Sequence, residues 1–220
     1  MLSAAEREIR KKQVGASEVY KLLNFDTEAA QDLFEQKVGL QPFPELDNDA
    51  IIAGNILEEQ CLEYYAKSNG VQIIMDERIE HESIKGFVAS LDARDITRGI
   101  PVENKAINQT VWESWIAKRA FNAKWGNVKL NIPKSYYCQA QTQIDVLGSN
   151  YGILNVNTLT DEEQEDPISV VITDIHNKQI IIKRDDKLIN ELELRTKYML
   201  DCIKYKYRPS EQDFLEKHIF

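Results

Sequence analysis

The sequence contains little cysteine and little histidine, and these absences exclude several common kinds of site. Its three cysteines are far apart and never form a CxxC pair, which argues against a disulfide framework and against a cysteine-based zinc site. The three histidines are equally dispersed and lack the spacing of a metal-binding pair on a helix. We therefore expect reduced thiols in the core and a mechanism that does not depend on histidine.

Long apolar segments and low-complexity segments are also missing. No hydrophobic run approaches the length that crosses a bilayer, and the charged start of the chain lacks the apolar stretch of a secretory signal. There is no internal repeat and no long linker rich in proline, glycine or serine. We expect an intracellular protein without membrane contact, whose residues 1–220 form a single domain.

Net positive charge is absent, since 36 acidic residues outnumber 27 lysines and arginines and give a formal charge of −9. Such a balance ordinarily counts against a nucleic-acid partner. The basic residues are clustered, however: six lie from Lys105 to Lys134 against the single acid Glu113, and four lie from Arg7 to Lys12. A solvated helix face explains each cluster equally well, so the charge pattern alone leaves the partner open.

Hydrophobic periodicity alternates between helical and strand patterns along the chain. A helical period, with Ser17, Thr27 and Pro133 at helix starts, predicts helices at 3–13, 17–23, 27–39, 48–70, 111–125, 133–148 and 185–207. A period of two predicts strands at 71–83, 86–95, 100–106, 151–157, 168–175 and 178–183. Strands embedded among helices, some joined by hairpin turns, predict an α/β or α+β fold with a central mixed sheet flanked by helices.

The segment PVENKAINQT, residues 101–110, carries a carboxylate and an ammonium two positions apart. In a strand Glu103 and Lys105 share one face, whereas Asn104 points to the other. The preceding strand pattern delivers Asp92 just before the expected turn, and ten residues separate Asp92 from Glu103. A hairpin of that length can bring the two carboxylates together, with Lys105 one pleat further along.

This arrangement of charges is typical of a metal site that acts on phosphate. Two adjacent carboxylates repel each other unless a cation neutralises them, and Mg²⁺ prefers oxygen ligands of this kind. Bound Mg²⁺ acidifies a coordinated water and stabilises charge on phosphate, and a nearby lysine can orient that water. A turn-capping aspartate next to a chance ExK triplet explains the same residues, and spacing alone favours this simpler interpretation.

Glu58 and three glutamines place polar groups on otherwise apolar helix faces. Glu58 lies beside the inward-facing stripe of the fourth predicted helix, where a wet helix edge is the alternative explanation. In the sixth predicted helix, Gln139 and Gln143 lie one turn apart and Gln141 projects differently. Buried amides cost free energy unless they are hydrogen-bonded, so these glutamines are unusual for a helix that only packs.

Together these segments resemble the phage lambda exonuclease and YqaJ-like viral recombinase family of the PD-(D/E)xK nuclease superfamily. The matching segments keep the family's order and cover most of the chain: VGASEV, GNILEEQCLEYY, SLDARD followed by VENKA, YYCQAQTQIDVLG, and IIIKRDDKLINEL. Ala93 and Asn104 depart from the pattern, because the family commonly has glycine and an apolar residue at those positions. The absence of a four-cysteine cluster separates the chain from the related iron–sulfur nucleases.

The resemblance implies a Mg²⁺-dependent exonuclease that degrades the 5′-ended strand of linear double-stranded DNA and leaves a 3′ overhang for a single-strand annealing partner. By the same resemblance, Asp92, Glu103 and the backbone carbonyl of Asn104 hold one metal ion, and Glu58 helps to hold a second. Mn²⁺ is the implied substitute for Mg²⁺. Lys105 is implied to act on the attacking water.

The resemblance also implies roles for residues outside this metal site. Gln139 would position active-site groups, Arg10 and Ser17 would grip the 5′ phosphate, and Gln141 would contact DNA. A ring-shaped homotrimer and a phage or prophage origin, with activity in the bacterial or host cytoplasm, belong to the same expectations. Two other functions stay open: an endonuclease of the same superfamily, directed by DNA structure or sequence, and a catalytically idle module that binds DNA ends or a partner.

Overall fold

The computed structural model describes residues 4–44, 49–116, 122–126 and 128–218. Its strands are β1 (Val14–Gly15), β2 (Ile73–Glu80), β3 (Phe87–Asp95), β4 (Ile100–Asn108), β5 (Ala123–Trp125), β6 (Val128–Leu130), β7 (Tyr151–Leu159) and β8 (Asn177–Lys183). Its α-helices are α1 (Ala4–Lys11), α2 (Glu28–Val38), α3 (Asp49–Asn69), α4 (Gln109–Trp115), α5 (Lys134–Val146), α6 (Asp161–Glu165), α7 (Asp186–Tyr205) and α8 (Glu211–His218). None of the described helices combines the length and the apolar character of a membrane-spanning segment.

The main sheet has the strand order β1-β3-β4-β7-β8, and β2 is added on β3. β4 and β7 run parallel, with Val102 opposite Ile153 and Asn108 opposite Leu159. The pairs β2–β3, β3–β4 and β7–β8 are antiparallel. The parallel pair is joined by a crossover that contains α4 and α5. The prediction of a mixed sheet in an α/β fold is therefore confirmed.

The two faces of the sheet are covered by different helices. On one face Tyr65 of α3 packs in a cluster with Val102, and on the other Ile144 of α5 packs in a cluster with Leu154. Glu103 pairs with Leu154 across the parallel ladder. Because side chains alternate along a strand, Glu103 is directed toward α5, whereas its neighbour Val102 faces α3.

Strand β3 pairs with three other strands. β2 pairs along one edge, from Val88 to Asp95. On the opposite edge, β1 pairs in parallel with Phe87 and Val88, and β4 pairs antiparallel with Ala93 through Asp95. In the described part of the chain, positions 89–92 pair with no strand on that edge. This leaves a gap between β1 and β4, which we call the β3 gap.

The turn between β2 and β3 allows β1 to approach closely. Gly86 has a φ angle of +89°, and a Cβ atom there would lie 3.0 Å from the carbonyl oxygen of Lys12. The N–H groups of Val14 and Ala16 donate to the carbonyl oxygens of Gly86 and Val88 at 2.8 and 2.9 Å. A side chain at position 86 would therefore push the segment after α1 away from the β3 gap.

Two of the predicted helices are wrong in part. The helix predicted at 17–23 is a 3-10 helix at Val19–Leu23 that follows Glu18, so Ser17 is not its N-cap. The helix predicted at 111–125 ends at Trp115, and Ala123–Trp125 forms β5 instead. Residues 117–121 of that prediction lie outside the described residues. β5 pairs with β6 in a small hairpin, and this pairing outweighs the helical pattern.

The strand predicted at 168–175 is also wrong, since the described backbone has no strand there. Gln60 of α3 takes the place of a neighbouring strand: its Nε2 donates to the Val170 carbonyl at 3.1 Å, and its Oε1 accepts from the Ile172 N–H at 2.7 Å. Val170 and Ile172 are buried and Val171 is exposed. The period of two in the sequence therefore reports alternating burial of an extended segment that has no strand partner.

Candidate active site

The β3 gap contains the carboxylates of Asp92 and Glu103. The register of β3 and β4, continued by one pair beyond Ala93 and Val102, places Asp92 opposite Glu103. There the N–H of Asn104 donates to Asp92 Oδ2 at 2.7 Å. In an extended strand the N–H and C=O of one residue point to the same side, so the Asn104 carbonyl is directed toward the gap as well.

Asp92 lies within β3, three residues before the strand ends, and not at the start of the turn as the sequence predicted. The turn is capped by Asp95, whose Oδ1 accepts from the N–H of Arg98 at 2.9 Å. Its Oδ2 accepts from the Tyr65 hydroxyl at 3.0 Å. Because Asp95 has the capping role, the simpler interpretation of Asp92 as a turn cap does not apply.

Glu103 is 1% exposed, and its carboxylate is surrounded by donors. Gln139 Nε2 donates to Oε1 at 2.6 Å, Gln143 Nε2 donates to Oε2, and the ammonium of Lys105 pairs with Oε1. The two glutamines come from successive turns of α5. Donors from two elements fix the orientation of this carboxylate, so residues 101–110 form a wall of the site and not an exposed edge.

Lys105 carries the positive charge of this site. Its Nζ contacts Glu103 and lies 5.3 Å from the centre of the Tyr136 ring. Burial lowers the pKa of Lys105, but the carboxylates of Glu103 and Asp92 outweigh burial and raise this pKa above the ordinary lysine value. The group therefore stays an ammonium at neutral pH, which suits it to orient groups and stabilise negative charge.

The acidic groups of the site lack full compensation. Burial, followed by the charge of Glu103, raises the pKa of Asp92 to about 8, and Lys105 only partly opposes this. Burial, then Asp76 and Glu103, raise the pKa of Glu58. Carboxyl groups that cannot all ionise together are stabilised by a divalent cation. Their donors are all oxygens, so the residues present fit Mg²⁺.

Asp76 of β2 is a residue of this region that the sequence patterns did not indicate. Its φ angle is 56°, a left-handed conformation that non-glycine residues rarely adopt. The register of β2 and β3 places it opposite Asp92, and its charge acts on Glu58. Backbone strain of this kind concentrates at functional sites. No residue spacing could have revealed it, because the signal lies in the backbone conformation.

A pocket leads from Asp92 to the segment that follows α1. Arg10 and Ser17 both line this pocket, so the structure brings these two predicted residues close to the carboxylates. Lys37 of α2, which the sequence patterns did not indicate, holds the Arg10 side of this pocket in place. Its buried Nζ donates to the Arg10 carbonyl at 3.1 Å and pairs with Glu18 at 2.8 Å. We call this cavity the entrance pocket.

Gln141 lies away from the β3 gap, in contrast to the sequence prediction. Its side chain is fully buried, its Nε2 donates to the Lys183 carbonyl at 2.7 Å, and its Oε1 accepts from the Asp185 N–H at 2.9 Å. These bonds join α5 to the connection between β8 and α7. Gln143, and not Gln141, is the second glutamine that donates to the Glu103 carboxylate. We therefore assign no substrate-binding role to Gln141.

A separate cluster contains His81, Asp145 and Glu193, whose ligand atoms lie within 4.8 Å of one another. One oxygen of Asp145 already contacts His81 Nε2 at 3.1 Å, and the other pairs with Arg184 at 2.7 Å. These contacts join β2, α5 and the end of β8. The cluster is therefore explained as an ion-pair network, and we assign no metal to it.

Asn104 belongs to a buried amide network on the face of the sheet opposite the carboxylates. Asn155 and Asn157 donate to Asn104 Oδ1 at 2.9 and 3.0 Å. Asn177 in turn donates to the side-chain oxygens of Asn155 and Asn157 at 2.8 and 2.9 Å. The network explains why position 104 is not apolar in this chain: its side chain has polar partners on β7 and β8.

Replacing Asn155 by leucine should destabilise the protein by about 1–3 kcal/mol, because a leucine of similar volume removes one of the two buried partners in this network from Asn104 and from Asn177. Chemical unfolding of the metal-free protein measures this change. Asn55→Leu, at an exposed position of α3, is the matched control and should change stability by less than about 0.5 kcal/mol. Equal effects of the two variants would contradict a structural role for the network.

Known proteins share this architecture. The alkaline exonuclease LHK-Exo from Laribacter hongkongensis matches with a TM-score of 0.69 at 22% identity, over 98% of this chain and 97% of that chain. A phage-related exonuclease from Haemophilus somnus 129PT matches with a TM-score of 0.60 at 16% identity, over 88% of this chain and 96% of that chain. A search of curated proteins finds no match.

The fold is the one that these solved exonucleases have. The sequence profile of the YqaJ-like viral recombinase domain matches residues 7–150, which is more than half of the chain. The chain belongs to the YqaJ-like viral recombinase family. The predicted family and fold are confirmed, and with them the prediction of an enzyme of the nuclease class.

Proposed function

We propose that the protein is a Mg²⁺-dependent exonuclease that degrades the 5′-ended strand of linear double-stranded DNA and leaves 3′ overhangs for recombination by single-strand annealing. One observation carries this proposal: the entrance pocket, lined by Arg10 and Ser17, also contains Asp92 and Gln139 of the carboxylate site. Oxygen ligands suit phosphodiester hydrolysis, and a basic pocket directly beside them suits the end of a strand.

The proposed ligands of the ion are Asp92, Glu103 and the Asn104 carbonyl, with Glu58 contributing to a second ion. Bound Mg²⁺ would acidify a water molecule and offset negative charge on the phosphate, and Mn²⁺ would suit the same oxygens. Gln139, Gln143 and Lys105 hold Glu103 from three directions. This carboxylate would therefore bind without reorienting, which lowers the cost of binding.

Lys105 and Gln139 have separate roles in the proposal. The Lys105 ammonium lies beside the Glu103 carboxylate, where it would orient the attacking water and stabilise charge that develops on the phosphate. The Gln139 amide donates to Glu103, and the same residue lines the entrance pocket. We propose that Gln139 fixes this carboxylate relative to the bound strand end.

Arg10 and Ser17 are the proposed ligands of the 5′ phosphate. A guanidinium group and a hydroxyl group are common partners of phosphate oxygens. A complex of LHK-Exo with dAMP is known, and a nucleoside monophosphate is the product that stepwise cleavage from an end would release. These observations favour end recognition over an internal approach to DNA.

The proposal extends to the assembly and the partners of the protein. A 3′ overhang is the substrate of a single-strand annealing protein, which we propose as a partner. A ring-shaped homotrimer would keep the duplex threaded between cuts. We further propose that residues 1–220 act as a single nuclease domain in the bacterial or host cytoplasm, on phage or prophage DNA.

Digestion of linear duplex and of covalently closed circular DNA tests this function. We expect Mg²⁺ to support degradation of the 5′-ended strand from each end of the linear DNA, closed circles to stay intact, and EDTA to stop the reaction. Loss of 5′-terminal label before 3′-terminal label would report the polarity. Loss of the 3′-terminal label first would contradict the proposed direction.

The same assay separates the two competing functions. Cleavage of closed circles would favour an endonuclease of the same superfamily, which shares the metal site but approaches DNA differently. Binding of linear ends without cleavage in either Mg²⁺ or Mn²⁺ would favour the catalytically idle module. The presence of Asp92, Glu103 and Lys105 in one gap is the observation that ranks the idle module below the two enzymes.

A further inference from the structure

Arg78 is a basic residue on β2 that none of the motifs includes. It pairs with Ser90 across the β2–β3 ladder, and its guanidinium donates to Ser90 Oγ at 3.2 Å and to Gln13 Oε1 at 2.6 Å. Arg78 lines the entrance pocket together with Arg10. The two arginines therefore reach the same cavity from different elements, α1 and β2.

The charges around the entrance pocket leave these two arginines as its uncompensated cations. Lys37 also lines the pocket, but its ammonium is neutralised by Glu18 at 2.8 Å. Within the described residues, neither Arg10 nor Arg78 has a carboxylate oxygen within 4.0 Å. Glu18 is thus already engaged, and the remaining positive charge is available to an anion.

The contacts of Arg78 leave donors free for such an anion. A guanidinium has five N–H groups, and the bonds to Ser90 and Gln13 orient the fork while using only part of that number. Arg78 is an exposed residue, so its head group is accessible from solvent. Guanidinium forks bind phosphate with two parallel hydrogen bonds, and phosphate is the anion that a DNA end brings to this pocket.

We propose that Arg78 is a specificity-determining residue that, with Arg10, selects a 5′-phosphate monoester over a 5′-hydroxyl end. This inference rests on the proposed exonuclease function and adds a residue and a physical reason for end selection. A phosphate monoester carries a charge of about −1.5 to −2 at pH 7, whereas an internal diester carries a single negative charge. Two guanidinium groups match the charge of the monoester. A single guanidinium group would suit the monoester and the diester alike and would not discriminate between them.

The test compares the initial rates of degradation of one linear duplex that carries either a 5′ phosphate or a 5′ hydroxyl. In Arg78→Gln the preference for the phosphorylated end should fall by about 10-fold or more, because a hydrogen bond to a charged group contributes that much discrimination. Arg78→Lys keeps a charge without the fork and should give an intermediate preference. Arg208→Gln, an exposed arginine paired with Glu35, is the charge-matched control and should keep the wild-type preference.

A binding measurement without cleavage separates recognition from folding and catalysis. In EDTA, a fluorescent duplex with a 5′ phosphate should bind Arg78→Gln more weakly than wild type, and the 5′-hydroxyl duplex should bind both proteins equally. Equal loss on both ends would show a general electrostatic or structural effect and overturn the inference. If Arg78→Gln does not fold, judged by its melting curve, an unchanged preference in Arg78→Lys would overturn it equally.

The failure of this inference is distinguishable from the failure of the proposed function. A wild-type protein that degrades neither end would refute the exonuclease itself. A wild-type protein that degrades phosphorylated ends preferentially, together with Arg78 variants of unchanged preference, would refute the role of Arg78 alone.

Discussion

Lys105→Gln should reduce DNA hydrolysis by at least about 100- to 1000-fold, the cost of removing one donor that stabilises transition-state charge. Glutamine keeps a hydrogen-bond donor for the buried Glu103 carboxylate but carries no charge. The orientation of Glu103 by Gln139 and Gln143 does not depend on Lys105. DNA binding should therefore stay close to that of wild type. Single-turnover digestion and fluorescence anisotropy on the same duplex measure the two quantities.

The control for this variant is Lys85→Gln, which removes one charge from an exposed position in the turn before β3. It should retain wild-type activity. If Lys105→Gln were fully active, Lys105 would have no place in the mechanism. If the variant lost DNA binding and activity together, Lys105 would be a binding residue, and the proposed action on the attacking water would be wrong.

Loss of an outer-shell partner of a metal typically reduces activity by about 10- to 100-fold. Asp92→Asn should reduce DNA hydrolysis by more than this, because it removes the charge of a proposed ligand. Asparagine preserves the shape of the side chain and can still accept the N–H of Asn104. Isothermal titration with Mg²⁺ or Mn²⁺ should show weaker ion binding in this variant. Asp201→Asn, at an exposed position of α7, provides the control and should bind the ion normally.

The same variant should change the pH dependence of stability in the absence of metal. Because the pKa of Asp92 is raised to about 8 in the folded protein, the folded state keeps a proton that the unfolded chain releases near pH 4. Stability is therefore lost as the pH rises from about 4 to 8. Asp92→Asn should melt at a higher temperature than wild type at pH 8.5 in EDTA and at nearly the same temperature at pH 4.

The direction of this change in melting temperature distinguishes a buried carboxylate that destabilises the fold when it ionises from an ordinary structural aspartate. A carboxylate that stabilises the fold through its charge would make Asp92→Asn less stable than wild type at pH 8.5. Addition of Mg²⁺ should raise the melting temperature of wild type at this pH, since the ion offsets the repulsion between Asp92 and Glu103. The same addition should have a smaller effect on the variant.

Much of the fold and of the carboxylate site could be predicted from the sequence, because side-chain alternation and helix capping depend only on neighbouring residues. The alternation of side chains in a strand puts Glu103 and Lys105 on one face, and the structure joins them in an ion pair. Caps such as Thr27 and Gly39 mark the ends of α2 as predicted. These features depend on residues close together in the chain, so spacing and residue type suffice.

The remaining parts of the site depend on contacts between distant segments. Asp76 and Arg78 reach the site only because β2 docks on β3, and Lys37 reaches it because α2 packs beside Arg10 and Glu18. No local pattern records this packing. Local spacing also does not show whether Gln141 or Gln143 faces the Glu103 carboxylate, since the rotation of α5 about its axis is set by packing against Leu154 and its neighbours. The short helices α6 and α8 were missed because they lie in polar segments without a clear hydrophobic period.

The divided edge of β3 also has a consequence for the size of the product. Ser90 at the entrance pocket and Asp92 at the carboxylate site lie two residues apart on one rigid strand, a separation of roughly 6–7 Å at about 3.3 Å per residue. That length is comparable to the spacing of successive phosphates along one DNA strand. In the proposed exonuclease, β3 would thus set the length of the product. With the terminal phosphate bound beside Ser90, the bond beside Asp92 would be that of the next nucleotide, and each cut would release a single mononucleotide.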